Sequence, residues 1–410
     1  MSTAISKTPS YSLYVGLDVH KESITIAVLP ERAATPTRVD KLPHDLNTLR
    51  RYFARLAADG AIRACYEASG AGYVLERALR GWGYHCEVIA PSLIPQKPGH
   101  QRKHDRYDAK QLARLYRRGE LTPIRIPTEA EERVRDFVRC RATFQRELLR
   151  ARHDVLKFLT RRGLRYTAGK CHWTRAHHAW LASLVKPGVL VAEDRAVFSE
   201  FLGLLHFVAQ RRDALDEQIE ALALAPALKT SVAWLSCCRG INTAAAVTLA
   251  TEVVDWRRFG KPTQLMAYLG LVPREDSTGA RERRGSITKA GNRHCRHVLV
   301  QAAWAYRHAP RLGAALARRQ RGQPAVVMSH AWKAQQRLHK LYHRLAARKG
   351  PQVAGRGRAG VGGVSLGADA RVSNGGGVTC HRCLTAVMHA RRDPFSLSFS
   401  LSLFRRWTDG

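Results

Sequence analysis

Two short runs of alternating apolar residues, 14–19 and 24–29 in "YSLYVGLDVHKESITIAVL", are separated by only four residues. A short run with period two reads as a strand. A gap this small leaves the two strands only an antiparallel hairpin, with His20 to Ser23 turning between them. "TRVDKL" reads as a third strand. "HDLNTLRRYFARLAADG" follows as a helix, with Leu46, Leu49, Phe53 and Leu56 on one face and Gly60 as its stop. "AIRACYEAS" is a strand, "GYVLERALRGWG" a helix closed by glycine, and "HCEVIAP" another strand. Strands followed by αβαβ imply an α/β domain with a mixed sheet over residues 11–127.

From Glu131 the period changes. Val134, Phe137, Phe144, Leu148, Ala151, Val155 and Phe158 keep heptad spacing, with Arg141 as the misfit. Leu205, Val208, Leu215, Ile219 and Leu222 repeat the pattern, with Arg212 as the misfit. Two long amphipathic helices, in a coiled-coil hairpin or a dimer element, are expected over 128–230. Between them "RYTAGKCHWTRAHHAWLASLV" is basic and aromatic; it suits nucleic acid, but its histidines read first as solvated surface. A further, mainly helical region is expected over 231–349. It opens with "LSCCRGINTAAAVTLATEV", a helix, a glycine turn and a helix, which is either a backbone phosphate cradle or an ordinary turn. Between Gly355 and Gly377, nine of 23 residues are glycine. Such a segment has too little apolar surface to build a core, so 350–410 is read as a disordered tail.

Four carboxylates stand at positions where strands and helices meet. Asp18 ends the first strand and Glu67 ends "ACYEAS". Asp105 and Asp108 begin the helix "HDRYDAKQLARL". Residues three apart share a helix face. Each acid alone reads more readily as a turn former or helix cap. Together, two at strand ends and two on a helix make an acidic cup, whose members repel one another unless a cation sits among them. A pair of Mg²⁺ ions is the expected occupant, because two such ions can hold both the attacking and the leaving oxygen of a phosphate displacement.

The charge says which partner such a site would meet. The chain carries 68 Lys and Arg against 33 Asp and Glu, a net +35. That excess fits a polyanion held through phosphate contacts, most often DNA or RNA, with a membrane-surface protein as the alternative. There is no run of 18 apolar residues, so no membrane-spanning helix is expected, and the first ten residues lack a signal-peptide core. The nine cysteines are scattered, with a single CxxC at Cys380 and Cys383, so reduced thiols and a cytoplasmic, bacterial-type location are expected.

"YVGLDVHK", "CYEASG", "HDRYDAKQLARL" and the distal "LMAYLGLVPREDSTG" and "GSITKAGNRHCR" resemble the DEDD transposases of the insertion sequence 110 family and its 1111 subgroup, over residues 11–349. The resemblance implies an α/β N-terminal domain of the RuvC-like RNase H fold, then coiled-coil helices, then a mainly α-helical C-terminal transposase domain. It implies that Asp18, Glu67, Asp105 and Asp108 bind the metal. It implies a DNA recombinase that cuts and rejoins strands through a serine–DNA covalent intermediate. It also implies a homo-oligomer, dimer or tetramer, that works with a structured guide RNA from the element.

Counting from Pro273 or back from Gly279 puts the family's nucleophile at Thr278, whereas counting back from Lys289 puts it at Ser277. A primary hydroxyl is less hindered, so Ser277 is the expectation and Thr278 the reserve. Arg281, Arg283, Arg284, Lys289, Asn292, Arg293 and Arg296 surround this loop as candidate phosphate contacts. The hydroxyl would work with the carboxylates of the first domain, from the same or a second subunit. The glycine-rich tail departs from the family, whose members continue with an apolar helix; a frameshift near Ala354 would account for it. Two other readings stay open, a water-using RuvC-like junction nuclease and a non-catalytic nucleic-acid-binding remnant.

Overall fold

A computed structural model of the chain describes residues 11–95, 105–169, 171–275, 278 and 284–349. It divides into two compact units between Pro127 and Thr128.

The first unit is built on five strands: β1 (Leu13–Val19), β2 (Ser23–Pro30), β3 (Arg38–Pro43), β4 (Ile62–Glu67) and β5 (His85–Ile89). Their order in the sheet is β3-β2-β1-β4-β5. β1, β2 and β3 pair antiparallel, while β1, β4 and β5 pair parallel, so the sheet is mixed as the alternation predicts. Helices α1 (Leu46–Leu56) and α2 (Val74–Gly81) supply the connections that parallel strands require. Asp45 caps α1 by accepting from Thr48 N.

Each strand sends alternate residues to opposite faces. Leu13, Val15, Leu17, Ile24, Ile26 and Val28 pack with Leu49, Phe53 and Leu56 of α1 and Leu75 and Leu79 of α2. Ala27 and Leu29 face the other way, onto Ala109 and Ala113 of α3 (Asp105–Arg117). Cys65 and Ile89 extend that second layer with Leu112, Leu115 and Tyr116. The result is a helix–sheet–helix sandwich.

The second unit starts with α4 (Glu129–Arg161), opened by a capping box between Thr128 and Glu131. α5 (Arg175–Leu184) and α6 (Ala192–Leu222) come next. α4 and α6 run antiparallel, because Arg162 pairs with Asp194 and Arg141 with Asp216. Their apolar faces do not form one continuous seam. Phe144, Leu148, Ala151, Val155 and Phe158 pack with α5 and with Phe198, Leu202, Leu205 and Val208 of α6. Val134, Phe137, Val138 and Ile219 instead join the core of the C-terminal helical region. That region contains α7 (Pro226–Ser236), α8 (Thr243–Val253), α9 (Pro262–Tyr268), the β-pair β6 (Pro273–Glu275) and β7 (Arg284–Ile287), α10 (Arg293–Ala303), α11 (Ala314–Gln320) and α12 (Ala325–Lys349).

The structure bears on three expectations. The 230/231 boundary falls inside α7, and the hairpin shares a core with the helices C-terminal to it, so the described residues from Thr128 to Lys349 belong to one compact unit. His177, expected on a solvated surface, is fully buried beneath the rings of Tyr166, His172, Trp173 and Trp180. The glycine turn of "LSCCRGIN" packs tightly: a Cβ on Gly240 (φ 85°) would stand 2.5 Å from the carbonyl oxygen of Ala302. The glycine-rich tail, with its proposed frameshift and its CxxC, lies outside the described residues.

Candidate active site

Gly16 sets the position of the acidic group. Gly16 and Asp18 alternate onto the face of β1 that carries α3. A Cβ at Gly16 would overlap the carbonyl oxygen of Ala109 and stand 2.5 Å from Ala113 N, so the helix rests directly on the strand backbone. The far end of α3 is tied down by Arg117, which donates to the carbonyls of Pro30 and Glu31 at 3.1 and 3.0 Å. Asp105 and Asp108 form the first turn of this helix, where its dipole favours negative charge.

Asp18, His20 and Asp105 each bring one ligand atom into a group whose members lie within 4.8 Å of one another. His20 Nε2 lies 3.1 Å from Asp18 Oδ2 and 3.6 Å from Asp105 Oδ1. Its loop is fixed from both sides: His20 N donates to Ser23 O at 2.9 Å, and His44 Nδ1 donates to the His20 carbonyl at 2.8 Å. Lys41 Nζ reaches Asp105 Oδ2 at 3.2 Å.

The two aspartates are electrostatically unlike. Burial pushes the Asp18 carboxyl up, and Asp105 and Asp108 add to the rise while His20 opposes it. Asp105 is held below the usual carboxylate range, chiefly by its hydrogen bond from Lys41. Asp108 is close enough to act on Asp18 but is not in the 4.8 Å group. Glu67 ends β4, the parallel neighbour of β1, one residue beyond the Leu17–Tyr66 pair. It is exposed and also lies outside that group.

The donors suit a hard divalent cation: carboxylate oxygens with one imidazole nitrogen, at the exposed carboxyl end of the central strands. Of the four acids that the sequence marks, the structure brings Asp18 and Asp105 together, and it adds His20 and Lys41, which the sequence did not mark. The signal for Lys41 lay in the strand register, since Asp18 pairs with Thr25 and Thr25 with Lys41, a row that only the assembled sheet reveals.

In the second unit, "YLGL" and "TKAGN" interlock through two glycines. A Cβ on Gly270 (φ 63°) would overlap Ala290 O, and one on Gly291 (φ 78°) would overlap Tyr268 O. Lys289 and Arg293 are exposed beside this lock. Asn292 and Arg296 are engaged in the fold. Asn292 caps α10 by accepting from His294 N and Cys295 N, both at 3.0 Å, and donates to Glu252 Oε2 at 2.7 Å. Arg296 donates to the carbonyls of Leu269 and Ala290 at 2.7 and 3.3 Å. Glu252, which the sequence did not mark, is buried and accepts from Nε and Nη2 of Arg139 at 2.7 and 3.0 Å. Thr278 is exposed. Ser277, Arg281 and Arg283 lie outside the described residues, as does the side chain of Arg284.

Two family models match the chain. One, described as a DEDD transposase, covers residues 15–162 and so spans the acidic group. The other, described as transposase IS116/IS110/IS902 family, covers 233–317. The putative transposase y4qE of Sinorhizobium fredii is 39% identical over 341 residues, 82% of each chain. The chain belongs to the IS116/IS110/IS902 family of transposases. The transposase for insertion sequence element IS1533 of Leptospira borgpetersenii is 30% identical over 82% of this chain and 97% of its own length. That for IS1111A of Coxiella burnetii is 24% identical over 58% of this chain and 64% of its own. The family is one of enzymes that cut and rejoin DNA, so DNA is the substrate of this transposase. Among the described residues, no helix is long and apolar enough to cross a membrane.

Proposed function

We propose that this transposase moves its own insertion sequence by a two-step strand exchange, with Asp18, Glu67, Asp105 and Asp108 as metal ligands and Ser277 as nucleophile. The observation that carries the reading is the approach of Asp18 to Asp105 through His20 at the exposed end of a mixed β3-β2-β1-β4-β5 sheet. That order and the acidic strand end support a RuvC-like RNase H fold.

Asp18 and Asp105 would hold Mg²⁺, with Asp108 and Glu67 completing a two-ion site. Bound there, the ions would supply charge for the leaving oxygen and would lower the pKa of an attacking hydroxyl. Ser277 Oγ gives up its proton and bonds to the phosphorus. The bond from phosphorus to one deoxyribose oxygen breaks, and that oxygen takes a proton. The ester conserves the phosphodiester's bond energy, so a second DNA hydroxyl can displace the serine without ATP. Lys289 and Arg293, both exposed, would hold the backbone phosphates together with Arg281, Arg283 and Arg284. A guide RNA encoded by the element would select the DNA, and a dimer or tetramer would bring two ends together.

The test mixes the full chain, RNA from its element, labelled element-junction DNA and Mg²⁺. A covalent protein–DNA band that disappears in Asp18→Asn and in Ser277→Ala is expected. A band retained in Ser277→Ala and lost in Thr278→Ala moves the nucleophile one residue. Cut DNA with no band in any variant overturns the serine intermediate in favour of water.

A further inference from the structure

We propose that Lys41 is a positioning residue of the acidic group, its ammonium standing beside Asp105 in place of a divalent cation and leaving when one binds. The inference rests on the metal reading of Asp18 and Asp105 and adds a residue to it.

Lys41 lies on β3, two strands away from Asp18. The register places Asp18, Thr25 and Lys41 in one lateral row across β1, β2 and β3. Thr25 is fully buried, and its hydroxyl has no hydrogen-bond partner, so it offers Lys41 no competing tie within the row. Nor does the neighbouring acid. Asp40 pairs with Arg38 at 2.8 Å and accepts from Tyr52 at 2.7 Å. The lysine therefore reaches across to α3, and its Nζ meets Asp105 Oδ2 at 3.2 Å.

An exposed lysine loses rotamer freedom when it is held in one place, and a lone surface pair returns little for that. Here Lys41 faces more than a single pair. Asp18 and Asp105 bring carboxylate oxygens within 4.8 Å of one another, and the ammonium 3.2 Å from Asp105 relieves their repulsion before any metal arrives.

His20 Nε2 stands on the Oδ1 side of Asp105 and Lys41 Nζ on the Oδ2 side. A Mg²⁺ ion binds carboxylate oxygen at about 2.0–2.1 Å. On Asp105 Oδ2 it would meet the ammonium at the same atom, and two cations at that separation repel strongly. Lys41 therefore competes with the metal for Asp105, which keeps the acids arranged while empty and weakens metal binding by the free protein.

The test is Mg²⁺ binding by calorimetry to the full chain without nucleic acid. Lys41→Met, at a side chain more than half exposed, is expected to fold as the parent does and to bind Mg²⁺ about ten-fold more tightly. Lys41→Arg, which keeps the charge, is expected to bind close to the parent. Equal or weaker binding in Lys41→Met overturns the inference, and the metal reading survives if Asp18→Asn and Asp105→Asn lose the ion. No Mg²⁺ bound by the parent, or binding undiminished in those two asparagine variants, overturns the metal reading, and the role of Lys41 falls with it.

Discussion

Gly16 of β1 and Ala109 of α3 meet backbone to backbone, with no room for a side chain between them. This contact sets the height of α3 above the sheet and hence the reach of Asp105 toward Asp18. Gly16→Ala is expected to lower stability by about 1–3 kcal/mol, the range for overpacking. It should also weaken Mg²⁺ binding, because the helix that carries two of the acids is lifted. Gly81→Ala is the control, since a Cβ there meets nothing within 4 Å and is expected to be nearly neutral. Urea unfolding and calorimetry on both variants check the pair. Equal losses in the two would detach the acidic group from the Gly16 contact.

Asp18 should show a conflict between stability and chemistry. Its ionised carboxyl is partly buried and faces two other acids, so without metal it works against the fold. Asp18→Asn is expected to raise the Tm in EDTA, to remove the Tm increase that Mg²⁺ gives the parent, and to abolish strand transfer. A lower Tm in EDTA would mean that the contact with His20 outweighs the cost of burial.

Glu252 behaves in the opposite way. Burial alone would raise its carboxyl, but Arg139, Asn292 and Arg135 outweigh burial and hold it below its ordinary value of 4.5. A carboxyl whose folded value lies below its unfolded value stabilises the fold at every pH above the unfolded value, and that contribution is lost as pH falls through the folded one. Glu252→Gln keeps the shape and leaves two arginines without their counter-charge, which is expected to cost about 3 kcal/mol at pH 7. The gap between parent and variant in urea unfolding should narrow as the pH is taken below 4.5. A gap independent of pH would assign the loss to packing.

The first unit was largely legible because period-two alternation and strand-end acids are local signals. Residues 14–19 and 24–29 became β1 and β2 with one extra residue at each end, apart from the shared end of β1 at Val19. Lys41 escaped because its partner Asp105 lies 64 residues away on another element; His20 stands two residues from Asp18, but only the fold brings its ring to Asp105 as well. Glu252 escaped for a similar reason, since Arg139 lies 113 residues earlier. Arg296 carries a role that the sequence did not show: beside a basic loop it reads as a phosphate contact, and its Nη1 also donates to the carbonyls of Leu269, at the end of α9, and of Ala290.

The heptad misfits Arg141 and Arg212 meet at one carboxylate. Arg141 takes both oxygens of Asp216 at 2.7 and 2.9 Å, and Arg212 Nε stands 3.7 Å from Oδ2. Both guanidiniums are about four-fifths covered, with side-chain exposures of 21% and 22%. Here the α4–α6 seam passes from one apolar cluster to the other. Asp216→Ala leaves the covered Arg141 without its counter-charge, while Arg212 keeps Asp213 at 2.7 Å, and is expected to cost about 3 kcal/mol. Arg141→Leu with Asp216→Ala restores the apolar heptad position and removes that unpaired cation. The double variant is therefore expected to recover most of the loss. The corresponding double-mutant cycle should return a coupling of at least about 1 kcal/mol between the two positions. Additive losses in the two single variants would mean that the pair is incidental and that the seam is held by its apolar residues alone.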